Sequence, residues 1–155
     1  MGTSSHKKKH DMNYDMPSKF SISYSCEGGY TVSYKDSLRK TITINQDGEV
    51  RNLGLGFDFS GEFDKPTYKV DKTKAIELMK FFYENKFYEL PEDLSDIRWC
   101  DASTVYLEVR SNTFNHKVGG YAASFNDKLQ KFIELFHDTI DSKKKKKMRK
   151  MYINE

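Results

Sequence analysis

The chain has no apolar run approaching the roughly 18–20 residues that a membrane-spanning helix needs, so a helical membrane span is excluded. It has only two cysteines, Cys26 and Cys100, too few for a disulfide framework. Two reduced thiols are the expectation, as in a cytoplasmic protein. Its N-terminal cations, Lys7–Lys9, are not followed by an apolar stretch, so residues 1–10 do not read as a secretory signal. There is no Cys-x-x-Cys, His-Glu-x-x-His or EF-hand pattern, and neither a metal nor any other cofactor is expected. The Gly- and Phe-rich segment Gly54–Gly61 lacks the Lys-Ser/Thr pair of a phosphate loop and reads as a looped strand edge.

A large net charge is also missing. The formal value is +3, but the charge is unevenly placed. Lys143, Lys144, Lys145, Lys146, Lys147, Arg149 and Lys150 put seven cations within eight residues. Residues 11–142 hold 16 basic and 22 acidic side chains and are net negative. An acidic body with basic ends is unlike a basic domain. Attraction to nucleic acid or anionic lipid would belong to the ends, and an acidic body suits a basic protein partner.

What the chain does have is aromatic mass: 11 Phe, 10 Tyr and one Trp in 155 residues, enough to build a single buried core. Phe20–Cys26 alternates apolar residues with serine, the period of a strand with one buried face. Leu38–Ile44 alternates again, Gln46-Asp47-Gly48 signals a turn, and Glu49–Leu53 is the returning strand. Tyr30–Tyr34 is a further β-like run, and Thr67–Val70 a short extended piece. A helix is expected from Asp71, its N-cap, to about Lys86, with Ile76, Met79, Phe82 or Tyr83, and Phe87 on the buried face. Thr104–Arg110 is a strand, and Ser111-Asn112 a two-residue turn that would pair Val109 with Phe114 and Leu107 with His116. Ser124-Phe125-Asn126-Asp127 resembles a capping box. Leu129, Phe132, Ile133, Phe136 and Ile140 then form the apolar stripe of a second helix. The expected fold is α+β, an antiparallel β-sheet with two α-helices packed on one face. Residues 1–18 are expected as a flexible arm, 19–141 as a single domain and 142–155 as a basic tail.

Phe20–Cys26 with Gly28-Gly29-Tyr30, then Thr41-Ile42-Thr43-Ile44 with Asp47-Gly48-Glu49-Val50, resembles the opening of an uncharacterised bacterial domain family frequent in Bacteroidota. Phe87-Tyr88-Glu89-Leu90, Asp101 with Thr104–Val109, and Lys117-Val118 resemble its later segments, so the likeness spans about residues 19–140. It implies the same order of strands and helices and brings no catalytic residue with it.

The candidate chemistry is sparse. His116 falls on the apolar face of its hairpin and reads as a structural histidine. His137 reads as a boundary residue of the second helix. The densest polar cluster of the body, Glu92 to Asp101, includes Asp96, Arg98, Trp99 and Asp101. Arg and Trp dominate protein-binding hot spots, so these four residues are the candidate partner-binding set, with Phe57 and Phe59 as weaker members. The leading expectation is a non-enzymatic protein-binding module of the inhibitor, adaptor or immunity-protein kind. The alternative is a nucleic-acid-associated protein acting through Lys143–Lys147, Arg149 and Lys150. An unpaired edge strand leaves room for a homodimer.

Overall fold

The computed structural model describes residues 14–27, 40–54 and 68–141. The run Tyr30–Tyr34, the aromatics Phe57 and Phe59, and the cations Lys143–Lys147, Arg149 and Lys150 lie outside the described residues.

Serine alternation makes the first strand. In β1 (Phe20–Glu27), Phe20 and Ile22 are buried and the serines face the other way. β2 (Lys40–Asn45) and β3 (Glu49–Gly54) form a hairpin around the Gln46-Asp47-Gly48 turn. β4 (Tyr68–Lys69) is a two-residue strand on β3. β5 (Thr104–Ser111) and β6 (Asn115–Tyr121) form a second hairpin. The six strands make one antiparallel sheet in the order β4-β3-β2-β1-β5-β6.

One face of that sheet presents Ile22, Ile44, Val105, Leu107, Val109 and Val118, all buried in the same core as the apolar faces of α1 (Lys72–Glu84) and α2 (Asp127–Ile140). On the other face small hydroxyls pair across strands, Ser23 with Thr43 at 2.9 Å and Ser25 with Thr41 at 3.1 Å. Alternation with period two therefore assigns the helices to a single face, as the sequence pattern implied. The stripe of α2 is buried as expected, with Thr139 added.

Four details differ from the sequence reading. In α1 the buried face is Ala75, Leu78, Met79 and Phe82, and Ile76 is half exposed. Two stripes overlap here, and the one that is apolar at every position i, i+3, i+4 and i+7 turns inward, because the stripe starting at Ile76 carries Lys80 at i+4. The N-cap of α2 is Asn126, whose Oδ1 accepts from the Lys128 N–H at 3.0 Å; Ser124 sits in the 3-10 turn Ala123–Phe125 before it. The β5–β6 hairpin is slipped by two residues. Val109 pairs with His116 and Leu107 with Val118, across a loop in which the Ser111 hydroxyl accepts from Phe114 N–H at 2.9 Å. A slip of two preserves which side chains face the core, so apolar patterning fixes the register only modulo two, and the turn's hydrogen bonds select between the choices.

The fourth difference is at the N-terminal side. Tyr14 and Met16 pack against the core although the sequence assigned them to the arm. Tyr14 lies edge-on to Tyr88 with ring centroids 5.0 Å apart and beside Phe114 at 5.4 Å. The Ser18 and Lys19 N–H groups both donate to Asn112 Oδ1, and Asn112 N–H donates to the Lys19 carbonyl at 3.0 Å. The longer hairpin loop supplies the acceptor that ties this segment down.

Candidate functional site

Between the 3-10 turn Phe87–Glu89 and β5 the chain is irregular yet closely held. Glu92 to Asp96 runs along the outer edge of β6. Gly119 N–H donates to the Glu92 carbonyl at 3.0 Å, Leu94 N–H to the Gly119 carbonyl at 2.8 Å, and Asp96 N–H to the Tyr121 carbonyl at 2.8 Å. The Ser95 hydroxyl accepts from Tyr121 N–H at 3.1 Å. An open strand edge is thereby covered by a loop of the same chain. The approach is close: at Gly120, with φ of +133°, a Cβ would stand 2.1 Å from Ser95 Oγ.

From that seam the loop turns outward. Asp96 Oδ1 accepts from Arg98 Nε at 2.8 Å and Oδ2 from Arg98 Nη2 at 2.7 Å, a two-point pair two residues apart. Arg98 also donates its backbone N–H to Asp96 Oδ1. The Tyr121 hydroxyl donates to the Trp99 carbonyl at 2.8 Å and accepts from Ala102 N–H at 3.2 Å. These bonds fix the backbone on both sides of the indole. The Trp99 ring then stacks on Phe125, with centroids 4.0 Å apart and planes 15° from parallel. Trp99 is 45% exposed, Phe125 50% and Ile97 90%. Trp99 and Phe125 thus form one outward-facing aromatic patch, with the exposed Arg98 and Ile97 on the same loop as Trp99. Beside it is a concavity of about 520 Å³ lined by Asp93, Ser95, Asp96, Arg98, Phe125 and Asp127, among others.

Two of the carboxylates here, Asp96 and Asp93, are held ionised. The Arg98 guanidinium hydrogen bond pulls the Asp96 carboxyl down to about 2, and the Ser95 hydroxyl and N–H lower Asp93. Because the Asp96 value is depressed in the fold, its contribution to loop order is present above the ordinary carboxylate range and lost as pH falls through about 2. A carbon-detected NMR titration is expected to give Asp96 a midpoint near 2. Arg98→Ala is expected to raise it part of the way toward the ordinary carboxylate range, because the backbone N–H of residue 98 still donates to Oδ1. An Asp96 midpoint near 4 in the unsubstituted chain would show that the pair does not form in solution.

Of the residues singled out from sequence, Asp96, Arg98 and Trp99 come together in this site. Asp101 is exposed on the same loop with φ of +55°, outside the lining of the concavity. The main residue the sequence did not mark is Phe125. It precedes the N-cap of α2, the position from which an apolar side chain usually packs on the fourth helical residue. That residue is Gln130, which offers no apolar partner, and Phe125 lies on Trp99 instead. Such a mismatch is readable in a sequence once the N-cap is placed correctly.

No protein-family model and no curated protein matches this sequence.

The remaining candidates are structural in their surroundings. His116 Nε2 donates to the Leu90 carbonyl at 2.7 Å, and its ring meets Phe87 edge-on. His137 lies edge-on to Tyr24 at 4.6 Å, and burial lowers its pKa against the opposing pull of Asp141 and Asp138. Burial also pushes the Tyr24 hydroxyl well above its usual range, with Cys26 adding to the effect. Cys26 and Cys100 are both unbridged. Among the described residues no group of three or more His, Cys, Asp or Glu side chains is placed to hold a metal ion, and no helix is long and apolar enough to cross a membrane.

Proposed function

We propose that the protein is a non-enzymatic binding module that recognises another protein through Ile97, Arg98, Trp99 and Phe125. The observation that supports this reading most is the Trp99–Phe125 stack, half exposed on a loop braced by the Asp96–Arg98 pair and the Tyr121 hydroxyl. Exposed Trp and Arg side chains on a rigid support are the side chains that carry most of the energy in protein interfaces. A preformed support also lowers the ordering cost of binding. The neighbouring ionised carboxylates favour a partner with basic groups at the contact.

The test is affinity capture from nuclease-treated host lysate at moderate salt, comparing the full chain with Trp99→Ala. A partner held in stoichiometric amount by the unsubstituted chain is expected to bind Trp99→Ala at least about 30-fold more weakly, the roughly 2 kcal/mol of a central aromatic anchor. Circular dichroism must show both chains equally folded. A partner that binds the variant equally well would remove the patch from the function. Capture of nucleic acid alone, abolished by neutralising Lys143–Lys147, would transfer the function to the C-terminal cations.

A further inference from the structure

We propose that the groove between α1 and α2 is a self-association surface. On it a second copy of this chain lays its own α1 antiparallel across a two-fold axis, Lys74 against Glu84 and Glu77 against Lys80. The groove shares no lining residue with the concavity beside Phe125, so this inference goes beyond the partner-binding reading and does not rest on it.

The groove has a volume of about 470 Å³, with an apolar floor and a charged rim. Leu78, Phe81 and Leu135 line it, and Phe81 and Leu135 are only half-buried. Lys74, Glu77, Lys80 and Glu84 stand along its α1 side, all four exposed. Along α1 their signs run plus, minus, plus, minus. In reverse they run minus, plus, minus, plus. A second α1 laid antiparallel therefore sets each cation against an anion, whereas a parallel copy sets like on like. The midpoints of the two pairs also agree, both falling next to Met79.

α2 repeats the arrangement. Lys128, Lys131, Leu135 and Asp138 are spaced i, i+3, i+7 and i+10 and share one side of the helix. Leu135 and Asp138 line the groove, which makes that side the groove side. Its cations lie in the N-terminal half and its acid in the C-terminal half, and Lys131 and Asp138 are centred between Glu134 and Leu135. Phe81 meets Phe132, and Lys74 lines the groove with Thr139, so α1 and α2 run antiparallel. Met79 then stands level with about residue 134, and one two-fold axis serves both helices.

Helix stability alone does not call for this order. α1 has no acid in its first turn and no base in its last, the reverse of what its dipole favours. Lys74–Glu77 and Lys80–Glu84 put lysine on the N-terminal side of the acid, the weaker orientation of such a pair. The Lys74–Glu77 contact is 4.0 Å between two mostly exposed groups. An antiparallel copy brings the C-terminal end of its α1, with Glu84, to Lys74, which suits both charge and dipole. Each helix is only about 20 Å long, so the face is small and the dimer reversible.

Sedimentation velocity of the full chain tests this over roughly 1 µM to 1 mM, the range of weak association. The mass is expected to rise from monomer to dimer. Lys74→Glu/Lys80→Glu makes the α1 row wholly acidic, and Glu77→Lys/Glu84→Lys makes it wholly basic. Each variant alone is expected to associate at least about tenfold more weakly. Their equimolar mixture is expected to dimerise at least as tightly as the unsubstituted chain. Salt at 1 M, where the Debye length is about 3 Å, is expected to weaken the unsubstituted dimer. Circular dichroism must show each variant folded. The single exchanges Lys74→Glu and Glu84→Lys, mixed in the same way, repeat the test with half the charge change. A chain that stays monomeric throughout, a dimer that neither variant weakens, or a mixture that does not recover would each overturn the proposal.

Discussion

Phe132→Ala is expected to lower the unfolding free energy by about 4 kcal/mol, a large share of the 5–15 kcal/mol that holds a typical domain together. Phe132 is fully buried on α2 and meets three rings: Phe81 at 5.4 Å, Phe82 at 4.9 Å and Phe87 at 5.3 Å, all edge-on. Phe82 and Phe87 also touch each other at 5.0 Å. This cluster ties α2 to α1 and to the turn that leads into the Glu92–Asp101 loop. Deleting the central ring removes its transfer free energy, leaves a cavity and withdraws the edge-to-face contacts. Phe132→Leu keeps part of the volume and is expected to cost about half as much. Urea unfolding decides the matter: the midpoint should fall with an unchanged slope. An Ala variant within 1 kcal/mol of the parent would mean that the cluster is not the centre of the core.

Gly119→Ala is expected to be nearly as damaging, by about 3 kcal/mol, and to act on the site as well as the fold. A Cβ at Gly119 would lie 2.0 Å from the Val105 carbonyl oxygen and 2.7 Å from Tyr106 Cα, both backbone atoms of the neighbouring strand. Backbone of a paired strand cannot turn aside as a long side chain can. Gly119 is also the residue on which the loop is laid, through its N–H to Glu92 and its carbonyl to Leu94. Forcing β6 away from β5 is therefore expected to loosen the loop and free Trp99. Urea unfolding and acrylamide quenching of Trp99 should change together. Lower stability with unaltered quenching would show that the loop holds its shape without this seam.

Two of the carboxylates beside the stack, Asp93 and Asp96, were conspicuous in the sequence as part of a dense polar stretch, and Asp96, Arg98 and Trp99 were legible because they lie close together in the chain. Phe125 was less so: its partner lies 26 residues away, and the only local hint is that Gln130, four residues into the helix, offers the ring no apolar neighbour. Tyr121 was silent. Its hydroxyl bridges Trp99 and Ala102 only because β6 places it beneath the loop.

The sequence by itself determined the class of fold. Periods of two and 3.6 named the strands and helices, and the single apolar face of each strand required both helices on one side. These are properties of short segments, set by where successive side chains point. Only the tertiary structure decided the hairpin register, the packing of Tyr14 and Met16, the inward stripe of α1, and the pairing of Trp99 with Phe125. Each of those is a choice between local arrangements of similar merit. The choice was made by distant groups: Asn112 holding Lys19, Gly119 holding Glu92 and Leu94, and a ring left without a neighbour on its own helix.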